Sequence, residues 1–545
     1  MRIEKIKICN FKCFKETFEL VLNEKLNIIV GDNDTGKTTI VEAIDLALTG
    51  WYRGRYIYNE LTQSLFNKDS INEYLKSVQD GNPIEPPRLT IELFFSDDTN
   101  PILKGTNNSD KSDSIGVTFI VEFDNKFSPD YECLVEEQSI HSLPIEYYHY
   151  YWDSFARDEK ITPRLIPIKS VLIDSTSTQN HHGSDIYISK IVKNHLDIKD
   201  VVEVSQAHRK MKDVFMEQPA IIKINKKIKD DSKITDKDIK LSVELSTKNA
   251  WESSLVTYID EIPFNLLGKG EQSLLKTKLA LSHKKAEEAN ILLIEEPENH
   301  LSHSNLNTLL KSLGDNNENK QVIITTHSSY VANKLGLKDL ILLHDLETVK
   351  LSDLNDDTYN FFKKLSGYET LRLLLSKKAI LVEGDSDELI VQKAYMQKHD
   401  NKLPIEDSVD VISVGTSFLR FLEIAEKIKI TTTVITDVDW SIEDLESKYE
   451  NYLDGNKKDN ILISYDSDFD EGELTINGKP FNYNTLEPKL LKAFGLELMN
   501  QILGKTYESE IEMHRYMKSN KTSCALKVFE TDEALTFPDY IDNLL

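Results

Sequence analysis

Residues 26–49 constrain the fold more than any other stretch. They read LNIIV, then GDNDTGKT, then a run with Ile40, Ile44, Ala47 and Leu48 at helical spacing. The first five residues are a short apolar run of buried-strand type, and the last four fall on one helix face. Strand, glycine loop and helix in direct succession commit this part of the chain to an α/β fold. The loop itself, residues 31–38, matches G-x-x-x-x-G-K-T. Its two glycines let backbone N–H groups wrap a chain of phosphates, and the helix behind it offers a partial positive charge at its N-terminus. The expected ligand is therefore ATP with Mg²⁺. Lys37 would reach the β- and γ-phosphates and Thr38 would put its hydroxyl on the ion. Asn33, Gly36 and Thr39 complete the expected cofactor-binding residues of the loop.

Further motifs follow in a fixed order. ILLIEEPENHL (291–301) is an apolar strand ending in two carboxylates. Glu295 is expected to hold Mg²⁺ through water, and Glu296 to polarise the attacking water. His327 comes after another apolar strand, in IITTHSS, placed to contact the γ-phosphate. LLGKGEQSLLK (266–276) precedes the ILLIEE strand by about fifteen residues. Together with KIKICNFKCF near the start, these motifs resemble an ABC ATPase of the RecF/SMC-like branch over about 1–345. In that branch the signature reaches across a dimer to the partner's γ-phosphate, which implies a role for Gly270 and at least a homodimer. Two positions depart from the pattern. The usual serine-glycine-glycine reads Gly268-Lys269-Gly270, and the usual Walker B aspartate is Glu295. No residue identifies the Q-loop, Gln206 included.

A second alternation of strands and helices begins near 378. AILVE (379–383), VDVIS (409–413), TTVITD (432–437) and ILISYD (461–466) are the candidate strands. A helix with Phe418, Phe421, Leu422, Ala425 and Ile428 on one face separates the second from the third. Such alternation implies a parallel sheet. Glu383, with Gly384-Asp385-Ser386-Asp387 behind it, ends the first strand; Asp437 and Asp439 end the third. The carboxyl edge of an open α/β sheet is where ligands bind. Acids gathered there repel unless a cation sits between them, and hard oxygen ligands suit Mg²⁺ or Mn²⁺. Two such ions activate water and stabilise the leaving oxygen of a phosphodiester.

VEGDSDELI followed by DVD resembles a Toprim domain. An ABC ATPase joined to Toprim resembles the OLD (overcoming lysogenisation defect) endonucleases, a family that includes the nuclease subunit of Gabija. The resemblance covers nearly the whole chain apart from roughly 100–250, and it implies more residues. Asp387 matches the acid one helical turn after the first glutamate. Gly415 and Ser417 match a small-residue loop. Glu487, in NTLEPKLL, matches a later acid that completes a second metal site. Lys521, in SNKTSCAL, matches a base that stabilises charge at the scissile phosphate. Without the family, Glu487 and Lys521 read as a helix cap and a surface residue. Asp466, Asp468 and Asp470 read as solvated acids in a turn.

Composition bounds the rest. The 545 residues suffice for about three or four domains at roughly 100–200 residues each. The expected division is an ATPase first part (1–190), an inserted helical arm for dimerisation (191–245), an ATPase second part (246–375) and a Toprim nuclease domain (376–545). No apolar run approaches the roughly 18–20 residues of a membrane span, which disfavours a transporter. The opening MRIEKIKICNF alternates charged and apolar residues, unlike a signal peptide, so a cytoplasmic protein is expected. Cys9, Cys13, Cys133 and Cys524 make no zinc pattern and read as reduced thiols. The net charge of −26 argues against nucleic-acid binding when taken alone. Metal-binding acids account for part of it, and 207–240 holds ten Lys/Arg against six Asp/Glu; that stretch reads equally as a solvated helical arm. His181-His182 reads as loop. YYHYYW (147–152) has the makings of a base-stacking platform but reads first as strand edge or core.

The expected function is thus an ATP-regulated, Mg²⁺- or Mn²⁺-dependent DNA endonuclease. The resemblance implies bacterial anti-phage defence, with an operon partner such as a helicase or a retron reverse transcriptase. Two alternatives stand beside it: an ATP-driven DNA-binding or repair protein with a silent Toprim scaffold, and a Toprim nuclease acting on RNA.

Overall fold

A computed structural model describes residues 1–53, 55–96, 100–136, 140–156, 160–174, 180–181, 184–185, 198–231, 258–281, 289–299, 301, 304, 306, 320–328, 331, 339–344, 346–350, 353–364, 372–374, 376–439, 441–476 and 478–543. The chain divides into two compact units: Met1–Ile28 with Gly36–Thr326, and Ile29–Thr35 with His327–Leu545.

The first unit opens with β1 (Ile3–Cys9), β2 (Phe18–Val21), the first three residues of β3 (Leu26–Val30) and α1 (Lys37–Thr49), followed by β4 (Leu89–Phe95), β5 (Ser114–Phe123) and β6 (Tyr148–Ser154). An antiparallel sheet runs β6–β5–β4–β1–β2. Alternation along β1 sends Ile6 and Ile8 into the core, both fully buried. It sends Lys5 and Lys7 to the other face, where Glu19 and Asp110 pair with both. The aromatic run lies on β6, so the strand reading holds: Tyr148 and Trp152 are buried. The Trp152 indole donates to the Ala47 carbonyl at 2.8 Å, tying β6 to the end of α1.

A second, parallel sheet of this unit has β8 (Ile291–Glu295) at its centre. It lies between β7 (Ser170–Asp174) and β9 (Gln321–Thr326), with Ile294 level with Ile173 and Ile324. Burial on both faces explains why β8 reads ILLI and why the middle of β9 is apolar. Ile40, Ile44, Ala47 and Leu48 of α1 are all buried, as their spacing predicts. Helices α2 (Ile198–Met216) and α3 (Pro219–Asp231) lie within the stretch expected to be an arm, and α4 (Lys269–Leu281) begins inside the LLGKGEQS motif. The ends of the arm, the basic positions 232–240 and His182 lie outside the described residues.

The second unit contains a hairpin of β10 (Leu340–His344) and β11 (Glu347–Lys350), then β12 (Lys378–Val382) and α5 (Asp385–Lys398). It continues with β13 (Val409–Ser413), α6 (Phe418–Lys427), β14 (Thr431–Ile435), α7 (Ile442–Lys448) and β15 (Ile461–Ser464). Three helices close it: α8 (Leu486–Leu503), α9 (Glu510–Ser519) and α10 (Lys521–Glu530). The four strands form a parallel sheet of order β13–β12–β14–β15. Ile380, Val382, Val411 and Ile435 share a core with Ile390, Leu490, Met517, Ala525 and Val528. That core clamps α5, α8, α9 and α10 onto the sheet. Chain order reverses at β12, which is flanked by the next strand on one side and the one after on the other. The crevice at the carboxyl ends of β12 and β14 is therefore the topological switch point, the usual ligand position of such sheets.

Candidate active site

In the first unit, Gly36 caps α1 with φ at +101°, and a Cβ there would stand 2.9 Å from Cys13 Sγ and Phe14 Cζ. Both conformation and space demand glycine. Lys37 is the first residue of the helix and almost fully buried; Thr39 is buried too. The Thr38 hydroxyl donates to the Glu295 carboxylate, so the two residues expected to share Mg²⁺ are already in contact. Glu295 ends β8. Glu296 adopts φ of +41°, uncommon for a side chain of this size, and its N–H donates to the Thr325 carbonyl at 2.9 Å. Its carboxylate accepts from the Asn299 amide at 2.6 Å. Gly270 stands in the first turn of α4. On the other side of the division, the loop is held by Asp32: its carboxylate accepts the Asn33 N–H at 2.7 Å and its carbonyl accepts the Thr35 hydroxyl at 2.9 Å. A Cβ on Gly31 would come 2.6 Å from the Leu343 carbonyl oxygen. His327 follows β9 directly and is exposed.

In the second unit, the acids singled out by sequence gather at the switch point. Glu383 is the residue after β12. Its carbonyl accepts the Gly415 N–H at 3.0 Å and the Ser413 hydroxyl at 3.2 Å, which ties it to the small-residue loop. Asp387 sits in the first turn of α5 and accepts the Gly384 N–H at 3.1 Å. Asp437 follows β14 by two residues and accepts the Leu486 N–H of α8 at 3.1 Å. Asp439 is exposed beyond it. Glu487, in the first turn of α8, is buried rather than a surface cap, and pairs with Lys521 at the start of α10 at 3.1 Å.

The electrostatics show that these groups share one field. Burial, then the charge of Asp439, pushes Glu383 above its ordinary pKa, against Lys521 and Lys448. Burial, then Glu383 and Glu487, pushes Asp387 up to about 6, against backbone N–H groups. Burial, then Asp387, pushes Asp437 well up, against the Leu486 N–H. Burial pulls Lys521 down, but Glu487, Asp437 and Asp387 together hold it above its usual value. A set of oxygen donors short of positive charge suits a hard divalent cation. Among the described residues, no three such side chains converge in ligating geometry. The Gly384 and Leu486 N–H groups engage Asp387 and Asp437, and Lys521 engages Glu487.

Several neighbours carried no sequence signal. Lys12, directly after the NF of the opening motif, puts its ammonium on the buried Glu42 carboxylate, which also takes Arg53 at 2.8 Å. Burial, then Arg53, pushes Lys12 down to about 8, against Cys13 and Glu295. Asp466 and Asp470 are not simply solvated: both pair with Lys489, at 2.9 and 2.7 Å, and that lysine is almost fully buried on α8. The turn is an anchor, because a buried ammonium needs such partners. Tyr449, just past α7, is fully buried, with its hydroxyl beside Thr436.

The comparisons with known proteins agree with this division of labour. Residues 1–332 match the family model of the AAA ATPase domain. Residues 374–439 match that of the "Overcoming lysogenization defect protein-like, TOPRIM domain". "Endonuclease GajA" of Bacillus cereus (strain VD045) is 22% identical over 98% of this chain and 93% of its own length. "Endonuclease GajA" of Bacillus cereus (strain HuB5-5) is 22% identical over 82% and 75%. A solved SMC head domain from Thermotoga maritima aligns at 13% identity over 64% of this chain and 98% of that chain, with a TM-score of 0.28. The family match spans more than half of the chain and ends short of the acidic cluster, where the second match takes over. The chain belongs to the AAA ATPase domain family and carries an OLD-like TOPRIM domain behind it.

Proposed function

We propose that this chain is an ATP-hydrolysing, divalent-metal-dependent DNA endonuclease. The observation that supports the reading most is the acidic cluster at the β12/β14 switch point, where burial and mutual repulsion raise three carboxyl groups at once. Such shifts are characteristic of functional sites. Glu383, Asp437 and Asp439 are assigned to one divalent cation, Asp387 and Glu487 to a second. When bound, Mg²⁺ or Mn²⁺ supplies an activated water and stabilises charge on the leaving oxygen. Lys521, drawn in by Glu487, stabilises negative charge on the scissile phosphate.

In the ATPase part, Asn33, Gly36, Lys37, Thr38 and Thr39 bind the phosphates. Thr38 and Glu295 hold Mg²⁺, Glu296 polarises the attacking water and His327 contacts the γ-phosphate. Gly270 serves a second copy of the chain, so the active form is a dimer or larger. Exposed Met211, Val214, Phe215 and Ile222 on α2 and α3 leave apolar surface of the kind self-association covers. The proposed domains are 1–190 and 246–375 for the ATPase, 191–245 for the dimerising arm and 376–545 for the nuclease, with ATP regulating cutting. The setting is the bacterial cytoplasm and anti-phage defence, beside an operon partner such as a helicase or a retron reverse transcriptase. No described helix is long and apolar enough to cross a membrane.

Supercoiled plasmid incubated with Mg²⁺ or Mn²⁺, with and without ATP, tests the reading. Glu383→Ala or Asp437→Ala should abolish cutting while ATP turnover survives. Cutting by both variants would overturn the carboxylate assignment, and cleavage of RNA but not plasmid would overturn the substrate.

A further inference from the structure

The first turn of α8 carries two parts of the acidic cluster. The Leu486 N–H, which like every first-turn donor has no acceptor within its own helix, donates to Asp437 at 3.1 Å. Glu487 follows it and pairs with Lys521 at 3.1 Å. The same turn is tied at a second point, to the residues that follow β15. Lys489 is almost fully buried; its ammonium pairs with Asp466 at 2.9 Å and Asp470 at 2.7 Å and donates to the Asp468 carbonyl. Three acceptors occupy the three N–H bonds of one ammonium. Asn484, buried just before the helix, accepts the Asp470 N–H at 2.7 Å and donates to the Asp470 carbonyl at 2.9 Å. The contacts close a ring, because the carbonyl of Ser464, the last residue of β15, accepts the Thr436 N–H at 3.1 Å and Thr436 precedes Asp437.

We propose that Lys489 is a positioning residue of the nuclease site: its ammonium, locked between Asp466 and Asp470, sets the place of the first turn of α8 and so holds Asp437 and Glu487 where divalent cations bind. This rests on the metal-dependent reading of the cluster, and it goes further by assigning a support outside the acids themselves. Taking an ammonium out of water is costly, and an apolar side chain would pack α8 onto its core without that cost. What the lysine adds is direction, since three fixed acceptors leave the helix start one arrangement. The partners that orient a ligand govern metal affinity nearly as strongly as the ligand does.

Three full-length variants are compared with wild type for thermal melting, for Mn²⁺ binding by calorimetry and for plasmid cutting across Mn²⁺ concentrations. Lys489→Met leaves Asp466 and Asp470 facing each other, so it should lower the melting temperature and raise the Mn²⁺ concentration for half-saturation by about 10–100-fold. The triple variant Asp466→Asn/Asp470→Asn/Lys489→Met removes the opposed charges together. Its melting temperature should return towards wild type while its Mn²⁺ affinity stays low, a split that a merely structural lysine would not produce. Asp466→Asn keeps the oxygen that accepts the Asp468 N–H and the Lys489–Asp470 pair, so it tests the role even where Lys489→Met does not fold; its Mn²⁺ midpoint should rise by about 10-fold, the lower end of the same range. If wild type binds Mn²⁺ and cuts, and both the triple variant and Asp466→Asn do so at the wild-type midpoint, the positioning role is wrong while the nuclease reading stands. If wild type neither binds Mn²⁺ nor cuts, the nuclease reading fails and takes this role with it.

Discussion

Glu487 and Lys521 meet at 3.1 Å on the first turns of α8 and α10, and the pair is lopsided: the carboxylate is buried while the ammonium is half exposed. Lys521 therefore neutralises Glu487 while keeping one side free for an approaching anion. Lys521→Ala should lower plasmid cutting by about 10²–10³-fold, the usual cost of removing a donor aimed at developing charge. It also strands a buried carboxylate among other acids, so stability should fall by about 1–3 kcal/mol. Lys521→Arg should restore the stability and only part of the cutting. Chemical denaturation and plasmid assays check both halves, and wild-type cutting by Lys521→Ala would remove the residue from the site.

Asp437 carries a charge that the fold opposes, with the Leu486 N–H as its recorded donor. A carboxyl group raised in the folded state favours folding below its unfolded pKa near 4 and loses that contribution as pH climbs through the folded value. At pH 7 its ionised form is therefore a burden. Asp437→Asn should stabilise the protein in chelator by roughly 0.5–2 kcal/mol while abolishing cutting. Adding Mn²⁺ should raise the melting temperature of wild type more than that of the variant. A variant less stable than wild type in chelator would mean that the Asp437 charge is not strained.

Protons and cations should compete at this cluster. Asp387 sits at about 6 and Glu383 and Asp437 are both raised, so at lower pH protons satisfy the site. The Mn²⁺ concentration for half-maximal cutting should rise steeply as pH falls through about 6, the value to which Asp387 is raised. ATP turnover should not follow the same curve. A titration of cutting against Mn²⁺ at several pH values reads this directly, and a pH-independent midpoint would sink it.

Much of this site was legible because strand periodicity and loop chemistry are local. The LNIIV strand and its glycine loop, the β12 and β14 strands and their terminal acids follow from patterns a few residues long. Glu487 and Lys521 came only through family resemblance: each is a helix-start residue, and nothing local says that α8 and α10 bring them to one point. Tyr449 and Lys489 had no signal at all. A tyrosine after a helix and a lysine in EPKLL gain meaning only from packing, one as a fully buried ring and the other as a buried cation facing Asp466 and Asp470. The turn acids looked solvated because their counter-charge lies about twenty residues downstream.

The contact between Thr38 and Glu295 separates two kinds of ATPase variant. Lys37 is buried at the start of α1; on its proposed phosphate-binding role, Lys37→Ala should lose ATP binding and turnover together. Glu296 lies after the strand in a left-handed conformation, its carboxylate held by Asn299. Glu296→Gln keeps that shape and removes only the charge proposed to polarise water. It should bind ATP as wild type does and turn it over at least about 10²-fold more slowly. Plasmid cutting in the two backgrounds then tells binding from hydrolysis. If bound ATP sets the state of the nuclease, Glu296→Gln will be locked in the ATP-responsive state and Lys37→Ala will ignore ATP. Equal ATP responses in both variants would show that the nuclease does not answer to this nucleotide site.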